Sequence, residues 1–271
     1  MAAKTLLGEK IEDSGRYARD VLCPVPRAGS RQKLGIHGSL PFRGKDIWNA
    51  YELTWLERTG KPAVAVATIE VDADSPHIVE SKSLKLYLNS LAMEHFDTAA
   101  DVEALISRDL SVLLKSGVRV KLTTPYAVAD SGIGSFPGVC IDDVAVTCVD
   151  FEVNPSLLGC TTGPILREDL YSHLFRSNCP VTGQPDFGSV LVRYHGRPID
   201  RAALLRYLVS YRQHNDFHES CIERIFVDLQ LHCAPEELTV YGRFNRRGGL
   251  DINPFRSDSE YNADNPRLWR Q

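Results

Sequence analysis

The chain has 271 residues, a formal net charge of −4 at pH 7 and a sequence pI near 6.1. This acidic balance argues against a nucleic-acid-binding protein that depends on a basic face, so we expect a small-molecule partner and no direct nucleic-acid contact. The seven cysteines are widely scattered, and Met1 to Lys10 lacks the apolar segment of a signal peptide. The most apolar run, Ala63 to Ile69, is too short to span a bilayer. We therefore expect a cytoplasmic protein with reduced thiols and no membrane segment.

A repeated amphipathic pattern divides the chain. Each copy has apolar residues at i, i+3, i+4 and i+7, the spacing of one helix face. These residues are Leu84, Tyr87, Leu88 and Leu91 in the first copy and Leu204, Tyr207, Leu208 and Tyr211 in the second. The two sets lie a constant 120 residues apart, and an acid, Glu80 or Asp200, precedes each helix. This common register predicts an internal duplication.

Further elements surround each helix in the same order. The runs Pro62 to Val71 and Gly188 to Tyr194 are rich in β-branched residues and predict strands before the helices. In the first copy Thr98 and Asp101 predict the capped start of a second helix, and Gly117 predicts its end. The apolar residues of the second helices are Val102, Leu105, Ile106 and Leu113 in the first copy and Ile222, Ile225, Phe226 and Leu229 in the second.

The predicted order is therefore strand, strand, helix, helix, strand, strand, used twice in an α+β fold. Strand-like Val144 to Val153 would close the first copy, and Leu238 to Phe244 would follow the helices of the second. Pro155 to Pro164 has the composition of a linker. We predict an N-terminal module over residues 1–155 and a C-terminal module over residues 156–271.

A thiol and a carboxylate flank a short loop in the second module. Cys179 and Asp186 are seven residues apart, and a Cys followed by Pro180 is unsuited to a helix interior. Gly183 and Pro185 favour a turn that would bring the carboxylate towards the sulfur. This pattern indicates a nucleophile with an acid beside it. The alternative is a turn with an ordinary half-buried cysteine and a solvated aspartate.

Three other segments carry candidate binding groups. Residues 80–87 (ESKSLKLY) place two lysines and two serines at a helix start, which suits a phosphate-bearing ligand, although a solvated turn with Ser as cap is the alternative. Glu219 can accept hydrogen bonds from a purine-like base, or cap the helix, and His218 can exchange a proton. A third segment concentrates positive charge and flexible backbone, which suits contact with phosphate, and a charged hairpin tip is the alternative. Its residues are Arg243, Arg246, Arg247, Gly248 and Gly249.

A zinc site is a further interpretation of the cysteines. Cys179, His218 and Cys221 with a water would form an open hydrolytic site. However, His-x-x-Cys is only half of a zinc pattern, and Cys221 also suits the apolar face of a helix.

Taken together, these segments resemble the NADPH-dependent 7-cyano-7-deazaguanine reductases of queuosine biosynthesis, in their long, two-module form. The resemblance is nearly full length, and residues 80–87 match the signature of that family at every position. The segments that carry it are Leu22 to Arg27, Trp48 to Leu56, Glu80 to Tyr87, Cys179 to Asp186, Phe217 to Glu219 and Arg246 to Pro254.

The resemblance implies a fold and an activity. The fold would be a tandem pair of tunnelling folds, as in GTP cyclohydrolase I, with antiparallel sheets and paired helices that assemble into a barrel. The chain would reduce a nitrile to a primary amine with two NADPH, without flavin or metal, and we expect at least a homodimer. Alternatives are a zinc-dependent pterin or purine ring hydrolase on the same fold and a non-catalytic purine-binding module.

The resemblance also implies roles for individual residues. Cys179 would add to the nitrile carbon to form a covalent thioimide, Asp186 would supply protons, and His218 would assist the transfer. Such a role requires thiolate character, so a lowered pKa is expected for Cys179. The implied substrate-binding residues are Val79, Glu80, Ser81, His218 and Glu219, and the implied NADPH-binding residues are Ser81, Lys82, Arg247 and Gly248.

Overall fold

The structure, a computed structural model, describes residues 16–125, 132–259 and 262–271. The segment Met1 to Lys10, on which the signal-peptide argument rests, lies outside the described residues. The chain divides into two compact units, and neither is one continuous stretch of sequence. In the described part of the chain, no helix combines the length and the apolar character that crossing a membrane would require.

The first unit is an α+β structure drawn from Met1–Ser30, Asp46–Gly132 and Arg246–Asp251. Its strands β2, β3 and β5 adjoin in the order β5-β3-β2, and β1 pairs antiparallel with β4. The elements are β1 (Pro24–Pro26), β2 (Arg43–Leu56), β3 (Pro62–Asp72), β4 (His77–Val79), α2 (Ser81–Asn89), α3 (Ala99–Leu114) and β5 (Val118–Thr123), with a short helix α1 (Ala28–Lys33) after β1. Alternate residues of β3 and one face of each long helix are buried and form the core.

The second unit repeats this plan over Arg31–Lys45, Ile133–Asn245 and Ile252–Gln271. Its strands adjoin in the order β10-β9-β8-β7-β6, and the β7, β8, β9 and β10 neighbours are antiparallel. The elements are β6 (Val139–Cys140), β7 (Leu166–Asn178), β8 (Pro185–Gly196), α4 (Arg201–Val209), α5 (His218–Cys233), β9 (Glu237–Phe244) and β10 (Leu250–Ser257). The long strands β7 and β8 pair as a hairpin, so residues far from its turn also lie within the sheet.

The duplication extends to individual hydrogen bonds at the helix ends. Glu80 caps α2 by accepting from two backbone N–H groups, and Asp200 caps α4 in the same way. At the other end, the hydroxyl of Ser90 donates to the Tyr87 carbonyl, and Ser210 donates to the Tyr207 carbonyl, both at 2.6 Å. Because these contacts recur at matched positions, the repeated sequence pattern corresponds to a repeated local structure.

A buried tyrosine–aspartate contact also recurs between the paired helices. The Tyr87 hydroxyl on α2 donates to Asp109 on α3 at 2.8 Å, and the Tyr207 hydroxyl on α4 donates to Asp228 on α5 at 2.7 Å. A buried hydroxyl needs a partner, so each contact joins two helices while satisfying a polar group in the core. Tyr87 and Tyr207, which the sequence periodicity places on apolar helix faces, therefore also link each pair of helices through their hydroxyl groups.

Most predicted elements are confirmed, and the α+β class is confirmed with them. The segments Pro62 to Val71, Gly188 to Tyr194 and Leu238 to Phe244 lie within strands, and the Thr98 capping box forms as predicted. Helix α3 ends earlier than Gly117, at Leu114, because Lys115 adopts the left-handed conformation with φ 55°. The tunnelling fold, barrel assembly and division at residue 155 stay predictions.

One predicted strand is wrong. Val144 to Val153 forms no strand, and Val149 in its middle is 76% exposed. A half-buried strand needs one face against a core, and no residue of this segment is buried. The apolar residues therefore alternate along this segment although it is not a strand and does not pack on a core.

Candidate active site

The β7–β8 hairpin of the second unit carries the predicted thiol and carboxylate. Ser177 pairs with Asp186 and Asn178 with Pro185, so Cys179 begins the turn just as Asp186 enters the second strand. The Asp186 side chain is buried, whereas Cys179 is half-buried. The pairing register of the two strands therefore places Cys179 and Asp186 at the turn end of the hairpin, where the sequence predicts that the carboxylate approaches the sulfur.

The start of α5 is hydrogen-bonded to the same hairpin. The Asn178 N–H donates to the His214 carbonyl at 2.8 Å, and the Asp216 N–H donates to the Asn178 carbonyl at 3.2 Å. These bonds hold the segment before α5 beside the residue that precedes Cys179. As a result, Nε2 of His218 lies 3.3 Å from Oδ2 of Asp186. The structure therefore brings together two of the residues that the sequence analysis assigned to proton transfer.

An aromatic ring fixes the orientation of His218. The Phe244 ring stacks on the imidazole with ring centroids 3.9 Å apart and an interplanar angle of 3°. The close packing depends on Gly242, where an added Cβ would lie 2.8 Å from Phe244 and 2.7 Å from Ile222. Nδ1 of His218 is buried and has no hydrogen-bond partner within the described residues. A ligand polar group could satisfy this nitrogen.

The thiol of Cys179 has an environment that favours its charged form. Burial raises its pKa, but hydrogen bonds from the Thr182 hydroxyl and from the backbone N–H groups of Thr182 and Val181 outweigh burial and the nearby charge of Asp186. The pKa of Cys179 is consequently lowered from its ordinary value. This is the direction that a nucleophilic role requires.

Buried cysteines elsewhere in the chain show the opposite behaviour. Burial raises the pKa of Cys23, and it raises that of Cys221 and Cys233 as well. Cys221 is fully buried on the apolar face of α5, which suits a packing role rather than an exchangeable metal ligand. Over residues 16–125, 132–259 and 262–271, no cluster of three or more His, Cys, Asp or Glu side chains could hold a metal ion.

Glu219 lies in the first turn of α5 and is only 2% exposed. The N-cap of this helix is Phe217, which makes no side-chain capping hydrogen bond. The alternative in which Glu219 is the cap of α5 is therefore wrong. A carboxylate near a helix N-terminus is favoured by the helix dipole, even where burial is costly. The position of Glu219 thus suits an acceptor that meets the polar edge of a ligand.

The first unit holds the signature octapeptide at the start of α2. Glu80 is 2% exposed, and each of its carboxylate oxygens accepts one backbone N–H at 2.8 Å, from Lys82 and Ser83. The N-cap of α2 is therefore Glu80, and the alternative in which a serine caps this helix is wrong. Each oxygen retains a further lone pair, so capping leaves Glu80 able to accept from a ligand.

The N-terminal motif supports this helix start. The Glu80 N–H donates to the Cys23 carbonyl, and the Cys23 N–H donates to the Ser83 hydroxyl. In the same motif, the Arg27 guanidinium contacts Asp46 at 2.5 Å. The motif from Leu22 to Arg27 is thus a structural support for the octapeptide. Val79, at the end of β4, is buried beside it.

A tight glycine turn forms part of a pocket in the first unit. Arg247 N–H donates to the Leu250 carbonyl at 2.9 Å, and the two residues between them, Gly248 and Gly249, have φ of 55° and 76°. Only glycine adopts such angles readily. The pocket, of about 210 Å³, is lined by Ala50, Glu52, Leu53, Lys85, Leu88, Asn89, Gly248, Gly249 and Leu250.

The lysine of this pocket approaches the turn closely. A Cβ at Gly248 would lie 3.2 to 3.4 Å from the end of the Lys85 side chain. The backbone of Gly248 and the cation of Lys85 therefore line one concave surface, which suits a phosphate group. Arg246 nearby lies over the Tyr51 ring at 4.9 Å.

Arg243 does not belong with these phosphate candidates. Arg243 is 1% exposed, and its guanidinium donates to the Tyr241 hydroxyl, to Asn265 and to Gln271. It lies in β9, where every residue from Leu238 to Phe244 is buried. Arg243 is therefore a structural residue of the second unit.

The structure thus groups the predicted site residues by unit. Cys179, Asp186, His218 and Glu219 belong to the second unit, and Val79, Glu80, Ser81, Lys82, Arg247 and Gly248 belong to the first. Sequence analysis missed the contacts of Thr182, Phe244 and Lys85. Thr182 and Lys85 stand inside segments already singled out, whereas no local pattern connects Phe244 with His218.

A thiol with a lowered pKa beside a carboxylate–imidazole pair is typical of enzymes that bind a substrate covalently through sulfur. Comparison with known proteins specifies the family. A family model described as "Nitrile reductase, 7-cyano-7-deazaguanine-reductase N-term" matches residues 14–122, and one described as "QueF-like protein" matches residues 185–263. The NADPH-dependent 7-cyano-7-deazaguanine reductase of Dechloromonas aromatica (strain RCB) is 52% identical over 267 residues, covering 98% of this chain and 94% of that protein.

The chain belongs to the family of NADPH-dependent 7-cyano-7-deazaguanine reductases. Among solved structures, the apo archaeosine synthase QueF-Like matches with 16% identity and a TM-score of 0.32, over 38% of this chain and 100% of that one. So weak a likeness carries no argument about the fold.

Proposed function

We propose that this chain reduces the nitrile of 7-cyano-7-deazaguanine to the primary amine of 7-aminomethyl-7-deazaguanine, in queuosine biosynthesis, through a covalent thioimide on Cys179. The chain is an oxidoreductase, and its cofactor is NADPH, in agreement with its family. The observation that carries the mechanism is the Cys179 turn, where a thiol with lowered pKa lies beside the Asp186–His218 pair.

Cys179 makes the nitrile reactive. Its sulfur adds to the nitrile carbon, and the thiol proton, passed through Asp186, completes an N–H bond on the nitrile nitrogen. The product is a thioimide, whose C=N carbon is a better acceptor of electrons than the nitrile. When the C–S bond later breaks, a sulfur with a low pKa is also a good leaving group.

Asp186 and His218 manage the protons of this sequence. Asp186 is buried within 3.3 Å of His218, so a proton can pass between carboxylate and imidazole. The Phe244 stack prevents the imidazole from turning away from Asp186. Both side chains are thus oriented before the substrate arrives.

Two buried carboxylates would recognise the base. We assign Glu219 and Glu80 to the N–H edge of the deazaguanine, with contacts from Val79, Ser81 and His218. Each carboxylate lies in the first turn or at the cap of a helix, where negative charge is favoured. Burial at 2% exposure would make an unmatched ligand costly, which favours selectivity for a base with suitable donors.

The residues around the glycine turn fit NADPH. The turn at Gly248 has no Cβ to obstruct a phosphate, and Lys85 lies against it. Ser81, Lys82, Arg247 and Gly248 would hold the cofactor, which supplies the hydrides when bound. The cations would neutralise its phosphates, and the α2 N-terminus would favour the same charge.

The assembly stays part of the proposal. We propose two tunnelling-fold modules, over residues 1–155 and 156–271, and a homodimer or larger barrel with no nucleic-acid partner. Sheets of this kind expose edge strands, which association between copies would cover. Light scattering of the purified chain would measure the number of copies.

Intact-protein mass spectrometry tests the covalent step. Wild type mixed with 7-cyano-7-deazaguanine without NADPH should gain one substrate mass, and adding NADPH should remove the adduct and yield the amine. Cys179→Ala should gain nothing, whereas Cys148→Ala, which changes another half-buried cysteine, should behave as wild type. Absence of an adduct together with absence of NADPH oxidation by wild type would overturn the proposal.

A further inference from the structure

The aromatic ring that stacks on His218 is held in place through the backbone of its own residue. The Phe244 N–H donates to Oδ1 of Asn253 at 3.2 Å, and the Phe244 carbonyl accepts Nε2 of Gln271 at 3.2 Å. Two amide side chains therefore bind the main chain of Phe244 on both of its polar groups. The position of the ring over the imidazole depends on where these amides hold that main chain.

The Gln271 amide takes part in a network of hydrogen bonds at this point. Besides the bond to Phe244, Nε2 donates to Oδ1 of Asn253 at 2.9 Å. On the other side of the amide, Oε1 accepts the Leu268 N–H at 3.0 Å and Nε of Arg243 at 3.1 Å. A primary amide has two N–H donors and two acceptor lone pairs, so these bonds match its full capacity.

The partners of Gln271 allow its amide only one orientation. The Leu268 N–H and the Arg243 guanidinium can only donate, whereas the Phe244 carbonyl can only accept. Oδ1 of Asn253 is also an acceptor, because it already receives the Phe244 N–H. A reversed amide would place donors against donors and acceptors against acceptors. The network therefore requires glutamine, and a glutamate of the same size would lose the two donors.

The segment that carries Gln271 is itself anchored to β9. The buried guanidinium of Arg243 donates to Oδ1 of Asn265 at 2.6 Å, and the Tyr241 hydroxyl donates to the Asp264 carbonyl at 2.8 Å. Both acceptors lie a few residues before Gln271 in the chain. These bonds fix the segment against the strand, so the Gln271 amide meets Phe244 from a defined position.

We propose that Gln271 is a positioning residue, which holds Phe244 in its stack on His218 and so keeps the imidazole directed to Asp186. The contacts are continuous. Gln271 binds the Phe244 main chain, the Phe244 ring lies 3.9 Å from the His218 ring, and Nε2 of His218 lies 3.3 Å from Asp186. All four residues belong to the second unit. The consequence for proton transfer rests on the function proposed above, whereas the hold on the stack does not.

The experiment records the imidazole C–H signals of His218 by ¹H–¹³C NMR of protein with labelled histidine. Protons over the face of a parallel aromatic ring are shielded, so the stack shifts these signals upfield, and Phe244→Leu provides the unstacked reference. Gln271→Ala removes the amide, and Gln271→Glu places an oxygen against two acceptors. Both variants should move the His218 signals downfield, towards the reference.

Steady-state kinetics of nitrile reduction measure the consequence for the reaction. General acid–base groups contribute about 10²–10⁴-fold, so a misdirected imidazole in either Gln271 variant should lower kcat roughly tenfold. The KM for NADPH should not change, because the proposed cofactor residues belong to the first unit. The matched control is Gln230→Ala, which removes an amide hydrogen bond of 2.6 Å to Asp258 in the second unit and should leave the His218 signals and kcat as in wild type.

The outcomes separate this inference from the proposed function. Wild-type His218 signals in Gln271→Ala, or in Gln271→Glu, would overturn the hold of the amide on the stack, whatever the kinetics. Displaced signals with a wild-type kcat would overturn the positioning role in the reaction. Displaced signals with a lowered kcat would support the inference. Displaced signals in the variants of a chain whose wild type reduces no nitrile would support the hold on the stack, and the proposed function alone would then fail.

Discussion

A buried ion cluster anchors helix α5, which carries His218 and Glu219 in its first turn. The Glu223 carboxylate accepts from Arg31 at 3.0 and 2.8 Å and from Arg256 at 3.1 and 2.9 Å. The three side chains are 2%, 10% and 0% exposed, respectively. Both guanidinium groups also lie within 6 Å of the Phe42 ring, at 5.9 and 5.5 Å.

We predict that Glu223→Gln destabilises the protein strongly. Removing one partner of a buried ion pair costs about 3–5 kcal/mol, because the remaining charge is left uncompensated. Here two buried guanidinium groups lose their shared anion, while the glutamine carbonyl still accepts from one of them. We therefore expect the lower end of the range, about 3 kcal/mol, and a fall in Tm of about 6–12 °C.

Urea unfolding and thermal melting followed by circular dichroism measure this loss. The matched control is Glu236→Gln, which neutralises a glutamate that is 57% exposed and paired with His195 at 3.1 Å. Exposed pairs contribute about 0–1 kcal/mol, so this variant should melt close to wild type. A loss below about 1 kcal/mol for Glu223→Gln would refute the assignment of the cluster as a structural anchor.

Two further predictions concern the site. Gly242→Ala should displace Phe244 from its stack on the His218 imidazole and cost about 1–3 kcal/mol of stability by overpacking, with reduced kcat if His218 has the proposed role. Gly159→Ala, whose added Cβ meets no atom within 4 Å, should leave kcat unchanged, and equal kinetics for the two variants would contradict the argument. Lys85→Ala should raise the KM for NADPH roughly tenfold by removing the proposed phosphate contact, whereas exposed Lys121→Ala should not. Steady-state assays at varied NADPH would measure both, and an unchanged KM in Lys85→Ala would exclude it from the cofactor site.

Local patterns carried much of what the sequence predicted correctly. The Thr98 capping box, the helices that begin after Glu80 and Asp200, and the turn at Gly183 all depend on residues only a few positions apart. Such interactions are set by backbone geometry and side-chain reach, so they can be inferred without knowledge of the rest of the chain. The family resemblance was also confirmed, since it rests on short motifs distributed along the whole chain.

Local patterns failed where burial decides. The alternation of apolar residues in Val144 to Val153 predicts a strand, but none of these residues is buried in the structure. Arg243 was grouped with its charged neighbours, yet it lies in the fully buried part of β9, whereas Arg246 lies beyond the strand and is exposed. Charge and periodicity alone cannot tell which face of an element meets a core.

By itself, the sequence determined the duplicated α+β plan, the thiol and carboxylate of the Cys179 to Asp186 hairpin, and the helix starts that hold Glu80 and Glu219. The tertiary structure alone decided how these groups are oriented and charged. The His218 ring stacks on Phe244, 26 positions away, and Glu223 receives Arg31 from 192 positions away. Contacts over such separations depend on how strands and helices pack together, and packing is determined by the whole core rather than by any segment.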